Sequence, residues 1–137
     1  MSDSSEKTTR AHAGTRCVSL VGPQASGKTT LVESMLVAAG ALAKRGNIAN
    51  GTMVSDVSPE ARHRQMSTEI TPVRFNYLGD PWVVLDCPGA VDLAHEAQQA
   101  MMISDAVVVV ADPDETRMLA LGPLLRFLDT HKIPHFL

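Results

Sequence analysis

Residues 22–29 read Gly22-Pro23-Gln24-Ala25-Ser26-Gly27-Lys28-Thr29, a full match to G-x-x-x-x-G-K-[ST]. No other feature constrains the fold as much, because this pattern works only between a strand and a helix. Its glycines let the backbone curl until successive N–H groups point at one anion. Lys28 adds a positive charge for the β- and γ-phosphates, and Thr29 offers a hydroxyl to Mg2+. A helix starting here aims the positive end of its dipole at the same place. The run from Gly22 through Thr30 is therefore the candidate phosphate loop.

Both flanks agree with that reading. Arg16-Cys17-Val18-Ser19-Leu20-Val21 is a short apolar run, as a buried strand would be. Leu31, Val32, Met35, Leu36, Ala39 and Leu42 recur at three- and four-residue steps, which predicts an amphipathic helix.

Composition limits the remaining classes. With 137 residues the chain has room for one domain with a core of useful size. A net charge of −3 gives no global basic footprint for nucleic acid. Cys17 and Cys87 form no C-x-x-C pair, which favours a reduced, cytoplasmic setting over a disulfide framework. The longest apolar run, Ala106 to Ala111, is far too short to span a bilayer. Residues 1–14 are rich in Ser, Thr, Lys and Glu and read as a disordered tail, which leaves 15–137 as the domain.

Beyond the first helix, residues 44–66 hold few apolar side chains and no sustained period. They read as a long loop, and such loops in compact domains tend to be functional. Ile70 to Leu78 and Trp82 to Asp86 are extended runs separated by Gly79-Asp80-Pro81. So short a link allows only an antiparallel hairpin, and Pro72 assigns its first strand to a sheet edge. Val91 to Met102 reads as a helix and Ala106 to Ala111 as a strand buried on both faces. Residues 114–131 read as two helical pieces parted at Gly122-Pro123, with Met118, Leu121, Leu124, Leu125 and Leu128 as the apolar side. Ile133 to Leu137 begins another strand. Met35, Met101, Met102 and Met118 are expected in the core or filling gaps. The order predicts an α/β fold with a mostly parallel sheet and one antiparallel edge strand.

Asp86-Cys87-Pro88-Gly89 ends the strand that follows the hairpin turn. That puts a carboxylate at the carboxyl edge of the sheet, where it can hold a water on Mg2+. Gly89 can then offer its N–H to a γ-phosphate.

Together these residues resemble the translational GTPases, with the G domain of elongation factor G most similar. The family's D-T-P-G-H-V-D-F is similar to Asp86-Cys87-Pro88-Gly89-Ala90-Val91-Asp92-Leu93. Its M-D-x-x-x-x-E-x-x-R-G-I-T-I stretch resembles Ser55-Asp56 through Arg64-Gln65-Met66-Ser67-Thr68. Ser104-Asp105-Ala106-Val107-Val108-Val109 looks like L-D-G-A-V-x-V, and Lys132-Ile133-Pro134 like K-V-P. The resemblance implies a P-loop GTPase fold that binds GTP or GDP with Mg2+ and works with the ribosome. It implies a first switch over residues 44–68 and a second over 86–102. It also implies Ser67 as a Mg2+ ligand beside Thr29 and Asp86, with Thr68 as the fallback.

Two departures stand out. The family's water-positioning histidine is replaced by Ala90, which has no polar atom to orient a nucleophile. His95, on the following helix, faces another way from Ala90 and reads as a surface histidine, with a substitute for the missing group as the alternative. The family's N-K-x-D guanine-reading motif would begin where the sequence stops at Leu137, so the chain reads as the amino-terminal part of a longer protein, cut before the last strand. Binding without base selectivity, an exposed part of the sheet and marginal stability are the expectations. A nucleotide-gated switch with little turnover, a P-loop ATPase or kinase, and an inert fragment are the competing readings.

Overall fold

The computed structural model describes residues 14–43, 46, 69–89 and 94–137. The tail, Ser67, Thr68, Ala90 and most of the first switch lie outside the described residues.

Five strands and four helices follow the chain among these residues. They are β1 (Arg16–Val21), α1 (Lys28–Ala38), β2 (Thr71–Tyr77), β3 (Asp80–Asp86), α2 (Ala94–Ile103), β4 (Ala106–Val109), α3 (Glu115–Leu119), α4 (Gly122–Thr130) and β5 (His135–Phe136). The strand order is β2-β3-β1-β4-β5. Among the described residues only the β2–β3 pair is antiparallel; β1 pairs with β3 and β4, and β4 with β5, in parallel. Pro72, which has no N–H to donate, does sit in the edge strand β2.

The hairpin turns one residue earlier than the sequence suggests. Leu78 and Gly79 carry φ of 51° and 87° and form its tip, while Pro81 lies within β3 opposite Asn76. Two central residues at positive φ give the twist that matches a two-residue hairpin.

Alternation along the central strands sorts the core into two layers. Leu20, Val84 and Val73 face one side of the sheet and meet Val32 and Leu36 of α1. Val21, Leu85, Cys87, Val107 and Val109 face the other and meet Ala97, Ala100 and Met101 of α2 with Leu121 and Leu128. The central strands β1, β3 and β4 are thus apolar on both faces because helices pack on both faces of the sheet there.

Several expectations shift in detail. Leu31, foreseen on the apolar stripe of α1, is exposed, whereas Glu33 is buried. Met101 is core, but Met102 and Met118 are exposed. The break between α3 and α4 falls at Ala120 and Leu121, and Pro123 lies in the first turn of α4, where its missing N–H costs nothing. Strand β4 ends at Val109 rather than Ala111, and Ala106 and Val108 are half-buried. Phe136 and Leu137, at the β5 edge, are largely exposed.

Side chains pin β1 to the turn before β4. Asp105 accepts the Cys17 N–H at 2.7 Å and returns its own N–H to the Cys17 carbonyl at 2.8 Å. The buried Ser19 hydroxyl meets Ser104 Oγ at 2.5 Å, and Ser104 also donates to the Ala100 carbonyl at 2.8 Å. On its other side, β1 pairs with β3 in a register that brings their carboxyl ends side by side, with Leu20 opposite Asp86.

Candidate functional site

The loop from Gly22 to Gly27 leaves the end of β1, in the middle of the sheet, and enters α1. Gly22 has φ of 145°, and a Cβ there would strike the Val110 carbonyl oxygen. Only glycine fits that approach. Gly27 stands at the helix N-cap with φ of 95° and no side-chain cap. The first-turn N–H groups of an α-helix have no acceptor within the helix, so this end can receive an anion. Ala25 also takes a positive φ, 58°. Ser26 donates its backbone N–H to the Pro23 carbonyl at 3.3 Å, while its buried Oγ meets no partner.

Lys28 is not the loosely held cation that its chemistry suggests. It is buried, and its ammonium donates to the carbonyls of Gly22 at 3.0 Å and Pro23 at 2.8 Å. Burial lowers its pKa from the ordinary lysine value, and the nearby Asp86 carboxylate opposes that shift. An anion placed at the loop would act in the same direction as Asp86.

Asp86 ends β3 fully buried and accepts the Thr29 hydroxyl at 2.7 Å. Two residues of distant sequence thus meet at one point as hard oxygen donors. Such donors suit Mg2+, which favours carboxylate and hydroxyl oxygens and keeps several waters. Gly89 faces the loop directly: a Cβ on it would lie 2.5 Å from Lys28 Nζ and 2.7 Å from the Gln24 N. Gln24, within the loop, is exposed, and Thr30, in the first turn of α1, is half-buried. Cys87, between Asp86 and Gly89, is fully buried, and burial followed by the Asp86 charge pushes its thiol up to about 12.

A cavity of about 570 Å³ adjoins Gly22 and Gly89 and is walled mainly by Val21, Met101, Leu121, Leu124 and Phe127. Its apolar lining cannot compensate a phosphate charge, so the loop and not this cavity is the candidate anion site. His95 is exposed on α2, with its Nε2 3.1 Å from Gln99 Nε2 of the same helix. That contact runs along α2 and does not bring the imidazole to the loop.

The structure therefore brings together Gly22–Thr30, Asp86 and Gly89. Sequence reasoning missed Glu33, although its four-residue spacing from Thr29 places it on the same helical face.

This sheet order and this loop define a P-loop nucleotide-binding domain of the GTPase arrangement. The sequence family described as the elongation factor Tu GTP binding domain matches residues 14–137, and the chain belongs to it. An elongation factor G-like protein of Synechocystis sp. is 45% identical over 120 residues, covering 88% of this chain and 18% of that protein. An elongation factor G-like protein of Mycobacterium tuberculosis is 33% identical over 108 residues, covering 79% of this chain and 15% of that protein. A crystal structure from Thermus thermophilus superposes with a TM-score of 0.67 at 30% identity, over 82% of this chain and 18% of that one. The chain thus spans less than a fifth of the length of these relatives. No helix among the described residues is long and apolar enough to cross a membrane.

Proposed function

We propose that this chain binds GTP and GDP with Mg2+ at the Gly22–Thr30 loop and serves a ribosome-dependent translation factor in the cytoplasm. The observation that carries the reading is the meeting of Thr29 and Asp86 at 2.7 Å beside the Lys28 ammonium, under a loop of the required pattern. In this reading the loop N–H groups and Lys28 hold the phosphates. Thr29, Asp86 and Ser67 hold Mg2+, which neutralises charge on the phosphates when bound. Gly89 presents its N–H to the γ-phosphate and so distinguishes the triphosphate from the diphosphate. Residues 15–137 are the nucleotide domain.

A second reading keeps binding and removes most turnover. Ala90 follows D-x-P-G and carries no group to orient water, and His95 is engaged with Gln99. Phosphoryl transfer depends on positioning and electrostatics, so losing the positioning group slows hydrolysis and leaves binding intact.

The test is a titration of the chain with fluorescent GTP and Mg2+, competed with GTP, GDP and ATP. Saturable binding that disappears in Lys28→Ala supports the reading. A folded chain that binds no nucleotide overturns it. Phosphate release, with and without ribosomes, then separates the two readings.

A further inference from the structure

Glu33 lies within α1 at 1% exposure. A carboxylate at that depth requires polar partners. Its Oε2 accepts the backbone N–H of Gly46 at 3.0 Å. One helical turn separates Glu33 from Thr29, so both side chains leave the same face of α1. Thr29 uses that face to reach Asp86, and Glu33 uses it to hold the chain where it has travelled well beyond the end of α1. The G-x-x-x-x-G-K-[ST] pattern ends at Thr29, so the phosphate loop gives no reason for a buried acid at position 33.

We propose that Glu33 is a positioning residue that ties the chain at Gly46 to the phosphate-loop helix. The departure point of the segment that follows Gly46 is then set by α1. The tie itself stands on the Glu33–Gly46 geometry. Its role, as the fixed boundary of a nucleotide-responsive segment, rests on the function proposed above. A backbone N–H bonded to a carboxylate is held by a charge-assisted bond.

Two measurements test this on the nucleotide-free full chain, so the outcome is independent of whether nucleotide binds. Hydrogen exchange resolved by NMR should show the Gly46 amide protected by roughly 100-fold or more over an open peptide. Exchange at the open-peptide rate overturns the proposal. Limited trypsin digestion adds the variants. Cleavage after Lys44 and Arg45, relative to cleavage after Arg117 in the same chain, should rise about 10-fold in Glu33→Ala. In Glu33→Gln, which keeps an acceptor oxygen, the ratio should stay within about threefold of the parent. An unchanged ratio in folded Glu33→Ala also overturns the tie, because general destabilisation would raise cleavage at all three places together. If Glu33→Ala does not fold, the exchange of Gly46 in the parent chain decides alone.

Discussion

The Thr29 hydroxyl donates to the Asp86 carboxylate at 2.7 Å, joining the first turn of α1 to the end of β3 across 57 positions of sequence. Replacing Asp86 by Asn keeps an acceptor for Thr29 and removes the charge that would hold a Mg2+-bound water. The expected result is a loss of about 10- to 100-fold in Mg2+-dependent GTP affinity. Affinity in EDTA should be unchanged. Titrations with and without Mg2+ check this, and an equal Mg2+ enhancement in Asp86→Asn would remove Asp86 from the metal site.

Gly89 faces Lys28 and Gln24 too closely for any side chain. Lys28 Nζ can swing aside, but the Gln24 backbone cannot. Gly89→Ala should push the 86–89 segment off the loop at a cost of about 1–3 kcal/mol in stability. GTP should lose its advantage over GDP while GDP affinity holds. Paired GTP and GDP titrations test this; an unaltered GTP-to-GDP ratio would exclude Gly89 as the γ-phosphate contact.

Gly22 and Gly27 need glycine for different reasons. A methyl at Gly22 strikes the Val110 carbonyl, whereas at Gly27 it meets open space but an unfavourable φ of 95°. Gly22→Ala should therefore cost about 3 kcal/mol or more, combining overpacking with backbone strain. Gly27→Ala should cost about 1–2 kcal/mol from strain alone. Urea unfolding of both variants ranks them, and the reverse order would contradict the packing of the loop against β4.

Cys87 makes stability depend on alkaline pH. Its thiol ionises near 9.0 when unfolded and near 12 in the folded chain, because burial and Asp86 disfavour the thiolate. The unfolded state therefore loses this proton first. The Cys87 contribution is complete below pH 9.0 and is lost as pH rises toward 12, with a slope approaching about 1.4 kcal/mol per pH unit. Lys28 acts in the opposite sense: its lowered pKa means that the cost of burying its charge fades as pH rises toward 10.5. Unfolding at pH 8, 9 and 10 should show a flatter alkaline decline in Cys87→Ala than in the parent. Parallel declines would mean that the thiol is not shielded. At pH 8 the half-buried Cys17 should react with a thiol reagent well before Cys87.

Much of this chain is legible in its sequence alone. The phosphate loop is a local device: one strand, one turn and one helix, each written in consecutive residues. The hairpin followed from a link too short for a crossover, and Pro72 assigned its strand to the edge. Asp86 was legible because an apolar run that ends in a carboxylate puts that carboxylate at a sheet edge.

Tertiary structure decided what depends on approach between distant segments. Periodicity placed Leu31 inside and gave no place to Glu33, yet the chain does the reverse, and a backbone N–H at Gly46 donates to the buried Glu33 carboxylate. Methionine content could not separate buried Met101 from exposed Met102, since neighbouring helix positions point about 100° apart and only the packed sheet selects one. The stretch around Ser19 and Ser104 reads as ordinary strand and turn, and only the β1–β4 register makes the two hydroxyls meet. Lys28 was recognisable as the cation of the loop. Its burial, its two carbonyl acceptors and its lowered pKa arise from the fold, because burial and field are properties of the surrounding chain and not of the motif.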